Sequence, residues 1–243
     1  MLQRSRLSSP PSLNSLGAVA LFLDFDGTLV EIAKGPDAIE VPGDLGARLN
    51  SLAARLEGAL AIVTGRSIDN LSSFVGLEGI HLAGSHGGHI LDAAGNALRE
   101  AEAMPDEVRS ALSAFAQQHG LLHERKTHGD ALHYRSRPDL EDEALAFART
   151  LADEHGLATK PGKCVIELVR PGIDKGGAVE LLAGQIPFVG VTPVFIGDDV
   201  TDEDGFAACN RLGGFGILVG DRADTVARYR LENVGDVYRW LSL

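Results

Sequence analysis

The sequence predicts an α/β protein: a largely parallel sheet interrupted by a smaller α+β insert. Three observations carry this. Short apolar runs at Ala18–Leu23, Ala59–Val63, Pro193–Ile196 and Phe215–Val219 alternate with helical stretches. Runs that are apolar throughout suit strands buried on both faces, and several end in polar or acidic residues, where open α/β sheets bind ligands. Between 106 and 171 the pattern changes to helix, hairpin, helix, strand.

Composition bounds the function. At 243 residues, 44% of them hydrophobic, the chain can bury a substantial core in one large domain or two small ones. A formal net charge of −12 argues against nucleic-acid and anionic-membrane partners, which are bound through basic surfaces. An anionic small substrate stays open, because the local field at the site decides. Two cysteines, Cys164 and Cys209, cannot make a disulfide framework, so a reducing, cytoplasmic setting is expected, and a monomer. No run reaches the roughly 18 to 20 apolar residues that span a bilayer. Arg4, Arg6 and the apolar Gly17–Leu23 mimic parts of a signal peptide, but the run is short and lacks a small-residue cleavage site. Met1–Asn14 is Ser/Pro-rich without apolar periodicity and is expected to be a flexible lead-in. The predicted division is lead-in 1–14, core 15–105 and 172–243, and insert 106–171, with breaks near Pro105 and Pro171.

The first strand ends in Asp24-Phe25-Asp26-Gly27-Thr28. Side chains two apart on an extended chain share a face, so Asp24 and Asp26 point together and Phe25 points away. Two carboxylates at the end of a buried strand are costly unless a cation or charged substrate meets them. A plain acidic turn is the alternative. After a Pro/Gly loop, Leu45, Leu49, Leu52 and Leu56 mark an amphipathic helix. The second strand runs into Thr64-Gly65-Arg66-Ser67, with Ser67 as N-cap of a helix. Thr64 stands where Asp24 stood, and a hydroxyl there can donate to a phosphate oxygen without adding charge. Gly79–Ile90 reads as strand, Gly-rich turn, strand. Its histidines, His81, His86 and His89, lack the acids or cysteines of a metal site, and His86 is the one retained as a substrate contact.

In the insert, Asp106–Gly120 and Leu140–His155 are predicted helices. Leu121–Lys126 and Ala131–Ser136 form a hairpin about Thr127-His128-Gly129-Asp130. Pro161-Gly162 is a turn before the strand Cys164–Val169. The core resumes where Asp174 caps a helix from Lys175 to about Ala183. Lys175 lies in its first turn, where the macrodipole disfavours a cation; this points to a neighbouring anion, with a solvated lysine as the alternative. The next strand meets Gly197-Asp198-Asp199-Val200-Thr201-Asp202-Glu203-Asp204, and Asp236–Leu243 closes the chain as a helix.

Carboxylate pair, hydroxyl, lysine and acidic cluster, in that order, suit phosphoryl transfer through a covalent carboxyl intermediate. Asp24 is the expected nucleophile, Asp26 the acid/base, and Thr64 and Lys175 the groups holding phosphate oxygens. Mg²⁺ is the expected cofactor, with Asp24, the Asp26 carbonyl and Asp198 as ligands and Asp199 and Asp202 behind them.

These four motifs, beginning with Asp-x-Asp-Gly-Thr, resemble the haloacid dehalogenase (HAD) superfamily. The resemblance implies a Rossmann-like parallel-sheet core, with the insert matching a C2-type cap domain. Glu124-Arg125-Lys126, Leu132-His133-Tyr134-Arg135, Gly162–Glu167, Asp174-Lys175-Gly176 and Gly197–Phe206 further resemble the trehalose-6-phosphate phosphatases, over nearly all of Ala18–Leu243. That resemblance implies hydrolysis of a small sugar phosphate, trehalose 6-phosphate, with Glu124, Lys126 and Glu167 on the sugar hydroxyls. Arg66, His86 and Arg135 are further substrate contacts. Gly88-His89 departs from the small or acidic residues usual there. With no glycosyltransferase domain before the core, a stand-alone phosphatase is expected. The core motifs leave open a phosphatase for sucrose 6-phosphate or mannosyl-3-phosphoglycerate, a phosphomutase, and a non-catalytic sugar-phosphate sensor.

Overall fold

The first strand, β1 (Val19–Leu23), is buried at every position, as its unbroken apolar run requires. The structure, a computed structural model, describes residues 7–32, 39–125, 129–162 and 164–243. After β1 come α1 (Leu45–Arg55), β2 (Leu60–Val63), α2 (Ile68–Ser72), β3 (His81–Gly84), β4 (His89–Leu91) and β5 (Ala97–Glu100). The chain divides into two compact units, Met1–Glu100 with Asp174–Leu243, and Ala101–Ile173.

The smaller unit contains α3 (Asp106–His119), β6 (Leu122–Arg125), β7 (Gly129–His133), α4 (Glu141–Glu154), β8 (Ala158–Gly162) and β9 (Val165–Val169). Its strands form an antiparallel sheet in the order β6-β7-β9-β8. Leu132, Ile166 and Leu168 face α3 and α4 in one core, with Val108, Leu112, Ala144 and Ala148. Two expectations change here. The predicted turn residues Gly129 and Asp130 belong to β7, which starts two residues early and ends at His133; Thr127 and His128 lie outside the described residues. Asp130 is polar yet fully buried, because His123 Nε2 pairs with it at 2.7 Å and Arg109 Nε donates to it at 3.4 Å. Pro161-Gly162 is no turn but the end of β8, an edge strand, where a missing N–H is tolerated.

The chain re-enters the larger unit through α5 (Lys175–Ala183), β10 (Thr192–Gly197), α6 (Asp202–Arg211), β11 (Phe215–Val219), β12 (Tyr229–Leu231) and α7 (Val234–Leu241). The eight-stranded sheet has the order β12-β11-β10-β1-β2-β3-β4-β5. Pairing is parallel from β12 to β3 and antiparallel at β4 and β5. The chain leaves β1 for β2 on one side and returns as β10 on the other, so a ligand crevice opens beyond the ends of β1 and β10. Alternation along β1 splits the core: Leu21 and Leu23 pack with α1, α2 and α7, and Ala20 and Phe22 with α5 and α6. The edge strand β5 and the other edge strand β12 were not expected; they are short, polar and only partly buried.

The described part of the lead-in also differs from expectation. Ser8 bridges to Tyr229, Trp240 Nε1 donates to the Pro11 carbonyl at 2.8 Å, and Leu13 packs on the core. Isolated apolar residues and backbone groups, not a periodic stripe, hold this segment. Among the described residues no helix is long and apolar enough to cross a membrane.

The helix α6 lies close on β10 and β11 because two glycines admit aromatic rings. A Cβ on Gly205 would lie 2.6 Å from the Phe195 ring, and one on Gly216 2.6 Å from the Phe206 ring. Phe195 and Phe206 are fully buried and meet edge to face. Gly216→Ala is therefore expected to destabilise the protein by roughly 1–3 kcal/mol, the usual cost of overpacking. Thermal unfolding of variant and wild type checks this; an unchanged midpoint would contradict the packing.

Candidate active site

Beyond β1 the chain turns sharply. The N–H groups of Thr28, Leu29 and Val30 all donate to the Phe25 carbonyl, and Phe25 itself is fully buried. Asp24 and Asp26 are thereby left at the strand end, with Asp24 N–H donating to the Ile196 carbonyl of β10 at 2.9 Å. Gly27 has φ +76°, and a Cβ there would lie 2.2 Å from the Asp198 carboxylate. Glycine at this position is what lets the β1 and β10 loops meet.

Lys175, at the start of α5, is 2% exposed. Asp174 caps the helix, its side chain accepting from the Gly177 N–H. The Lys175 ammonium lies 2.8 Å from Asp24 Oδ1 and 2.6 Å from Asp202 Oδ1. The anion beside this lysine is thus a pair of carboxylates. Burial works against the ammonium, yet Asp24 and Asp202 together hold it above the ordinary lysine range. Burial pushes the Asp24 carboxyl up to about 8, with Lys175 pulling against this and Asp202 adding to it. Burial, with Asp202 and Asp199 nearby, pushes Asp198 up to about 6.

Asp24, Asp198 and Asp202 each offer a carboxylate oxygen, and the three lie within 4.8 Å of one another. Three carboxylates against one ammonium leave an excess of negative charge in a largely buried place. The all-oxygen donor set fits a hard metal cation, which would relieve that excess. Asp202 belongs to this cluster and is fully buried. Asp199 is exposed, and its backbone N–H donates to Asp202 Oδ2 at 2.8 Å.

The end of β2 supplies the next group. Thr64 is 1% exposed, and its hydroxyl accepts from the Arg66 N–H at 3.1 Å. Arg66 forks onto Asp26, and Ser67 caps α2. Ser85 and His86 both adopt left-handed backbone angles, φ +50° and +56°, a strained pair of the kind that collects at functional sites. The His86 ring lies over Gly65, where a Cβ would stand 2.7 Å from it. A cleft of about 690 Å³ brings together Asp24, Asp26, Thr64, Arg66, His86, Lys175, Asp198 and Asp199. Ile32, Asn70 and Thr201 also line it and were missed in the sequence. Asn70 had one signal, its position four residues after Arg66.

The remaining expected residues lie in the smaller unit. Glu124 (β6), Ala131 (β7), Glu167 (β9) and Lys160 (β8) are successive cross-strand partners and share one sheet face, opposite Leu132 and Ile166. Glu124 Oε2 pairs with His133 Nε2 at 2.8 Å. Arg135 is exposed just beyond β7, and Lys126 lies outside the described residues.

Residues 22–234 match the family model described as trehalose-phosphatase. The chain is 38% identical to the trehalose-6-phosphate phosphatase of Escherichia coli, over 98% of this chain and 90% of that one. Its fold superposes on the Aspergillus fumigatus trehalose-6-phosphate phosphatase with a TM-score of 0.76 and 26% identity, covering 93% and 92% of the two chains. A haloacid dehalogenase-like hydrolase of Bacteroides thetaiotaomicron shares the fold at a TM-score of 0.64 and 17% identity, covering 92% and 98%. On sequence and architecture, with its motifs assembled at one crevice, the chain belongs to the trehalose-phosphatase family.

Proposed function

We propose that this chain hydrolyses trehalose 6-phosphate to trehalose and phosphate, completing trehalose synthesis, through a phosphorylated Asp24. The observation that carries the reading is the setting of Asp24. It is 4% exposed, stands at the end of a central strand, lines the cleft and lies 2.8 Å from the Lys175 ammonium. A carboxylate so placed can attack phosphorus while a fixed cation offsets the developing charge.

In the first step an Asp24 oxygen bonds to phosphorus as the bond from phosphorus to the sugar oxygen breaks, and Asp26 gives its proton to that oxygen. In the second, Asp26 takes a proton from a water whose oxygen bonds to phosphorus, releasing phosphate and restoring Asp24. Thr64 and Lys175 hold phosphate oxygens. Asp24, Asp198 and the Asp26 carbonyl would hold Mg²⁺, with Asp199 and Asp202 acting through water. Bound there, the cation supplies the positive charge that lets a phosphate dianion approach Asp24.

The smaller unit acts as the C2-type cap. Glu124, Glu167 and Arg135, with Lys126, read the sugar hydroxyls, and His86 contacts the substrate from the core. Support comes from the row that places Glu124 and Glu167 on one sheet face away from the helices. Carboxylates and cations in a half-enclosed site suit a polyol. The working form is a cytoplasmic monomer, in keeping with two free thiols, Cys164 and Cys209.

Phosphate release from a panel of trehalose 6-phosphate, sucrose 6-phosphate and mannosyl-3-phosphoglycerate tests the substrate and the cation together. The disaccharide phosphate trehalose 6-phosphate is expected to dominate, with activity lost on chelation and restored by Mg²⁺. Preference for another member, or full activity after rigorous chelation, would refute the respective assignment. Glu167→Ala is expected to lower kcat/KM for trehalose 6-phosphate at least about tenfold, or about 1.4 kcal/mol of transition-state binding. An aryl phosphate, with no hydroxyls for Glu167 to hold, should lose little. Equal losses on both substrates would remove Glu167 from sugar recognition.

A further inference from the structure

Arg66 meets both oxygens of Asp26. Its Nε donates to Oδ2 at 2.6 Å and its Nη2 to Oδ1 at 2.7 Å. The third nitrogen, Nη1, donates to Asn70 Oδ1 at 2.8 Å, and the guanidinium carbon lies 5.2 Å from the centre of the Phe74 ring. The Arg66 side chain is 10% exposed, against 36% for Asp26. The guanidinium is thus held from its far side by groups that belong to α2 and its end, while the carboxylate it grips faces the cleft. Asn70 is itself fixed by the helix. Ser67 caps α2 by accepting from the Asn70 backbone N–H at 3.2 Å, which leaves the Asn70 amide for Arg66.

The two motif carboxylates are therefore treated differently. Asp24 meets an ammonium, a point charge without the planar fork of a guanidinium. Asp26 meets a planar fork, which fixes both the position and the plane of a carboxyl group. An acid/base must stand at hydrogen-bond distance from the leaving oxygen in a set orientation, and misplacement is costly in rate. Binding of a substrate phosphate by Arg66 would have to compete with this bidentate pair.

We infer that Arg66, seated by Asn70 and Phe74, is the positioning residue of Asp26 and not a contact to the substrate. The inference rests on the proposed role of Asp26 as acid/base. In the leaving step the bond from phosphorus to the sugar oxygen breaks as the Asp24–phosphorus bond forms, and the Asp26 proton passes to the departing oxygen. One oxygen of Asp26 turns to that work while the other goes on accepting from Arg66. The fork gives up one bond and keeps one, so the carboxyl pivots without being lost from the site.

The test is leaving-group dependence. A sugar oxygen needs a proton to depart, whereas p-nitrophenolate departs without one, so leaving-group departure depends on where Asp26 stands only with the sugar phosphate, while the later attack of water on phosphorylated Asp24 needs it with both. The quantities to measure are kcat and KM for Arg66→Met, Arg66→Lys and Asn70→Ala, on trehalose 6-phosphate and on p-nitrophenyl phosphate. With the sugar phosphate, kcat is expected to fall at least about tenfold in both Arg66 variants and less in Asn70→Ala, with KM nearly unchanged. With the aryl phosphate the loss in kcat/KM, which is set before water attacks phosphorylated Asp24, should stay below about twofold. Equal losses of kcat/KM on both substrates, an effect confined to KM, or full activity of Arg66→Lys would overturn the inference. Should Arg66→Met fail to fold, Asn70→Ala carries the test, since its backbone N–H still meets Ser67. If the wild type cleaves glucose 6-phosphate but not trehalose 6-phosphate, the substrate reading fails, and the same variants compared on glucose 6-phosphate and the aryl phosphate still decide the role of Arg66.

Discussion

The ammonium of Lys175 sits between the carboxylates of Asp24 and Asp202, and the local geometry of the larger unit is arranged to make that meeting possible. Removing one member of such a buried group leaves uncompensated charge, a far larger cost than the net gain from the intact pair. Three segments far apart in sequence must therefore stay within a few ångströms. Glycines at the contact points allow it. A Cβ on Gly197 would collide with Asp202, and one on Gly176 would stand 2.6 Å from the Asp204 carbonyl. The starts of α5 and α6 can approach only because these positions carry no side chain.

The two units carry different sets of polar groups. The cleft in the larger unit gathers groups suited to a phosphate: a hydroxyl, an ammonium, and carboxylates that could hold a metal ion. It contains little that could tell one sugar from another. The face that bears Glu124, Glu167 and Lys160 belongs to a unit with its own hydrophobic core and its own antiparallel sheet. On the proposed function, the charged ester and the neutral polyol of the substrate have separate counterparts in the chain.

Much of this was legible in the sequence, because unbroken apolar runs mean strands buried on both faces. Each of β1, β2, β10 and β11 appeared where such a run stood, and the polar residues following β1, β2 and β10 marked the crevice. Helix α1 was visible through its periodic leucines and α3 through Val108, Leu112, Phe115 and Ala116 on one face, and Ser67 and Asp174 cap helices as expected. What could not be read depended on partners remote in sequence. Asp130 looked like a turn residue because nothing local announces His123 and Arg109 beside it. Edge strands β5, β8 and β12 bury only part of their residues and carry no apolar run. Arg66 and Asp26 are 40 positions apart, and their pairing follows from the juxtaposition of β1 and β2, which sequence spacing does not reveal. That Asp202, expected behind the ligands, assembles with Asp24 and Asp198 likewise rests on the first turn of α6 folding back on Gly197.

The central claim is that Asp24 becomes phosphorylated. Its burial beside Lys175, with Asp26 and Arg66 on the open side, supports the proposed attack by one carboxylate and proton transfer by the other. The direct measurement is a single turnover with trehalose 6-phosphate and Mg²⁺, quenched in acid within the first turnover and followed by peptide mass spectrometry. The account predicts an acid-stable, hydroxylamine-labile phosphoryl group on the peptide containing Asp24, located on that residue. Phosphate release with no phosphorylated peptide at any time, or phosphorylation of Asp26 or another residue, would contradict it.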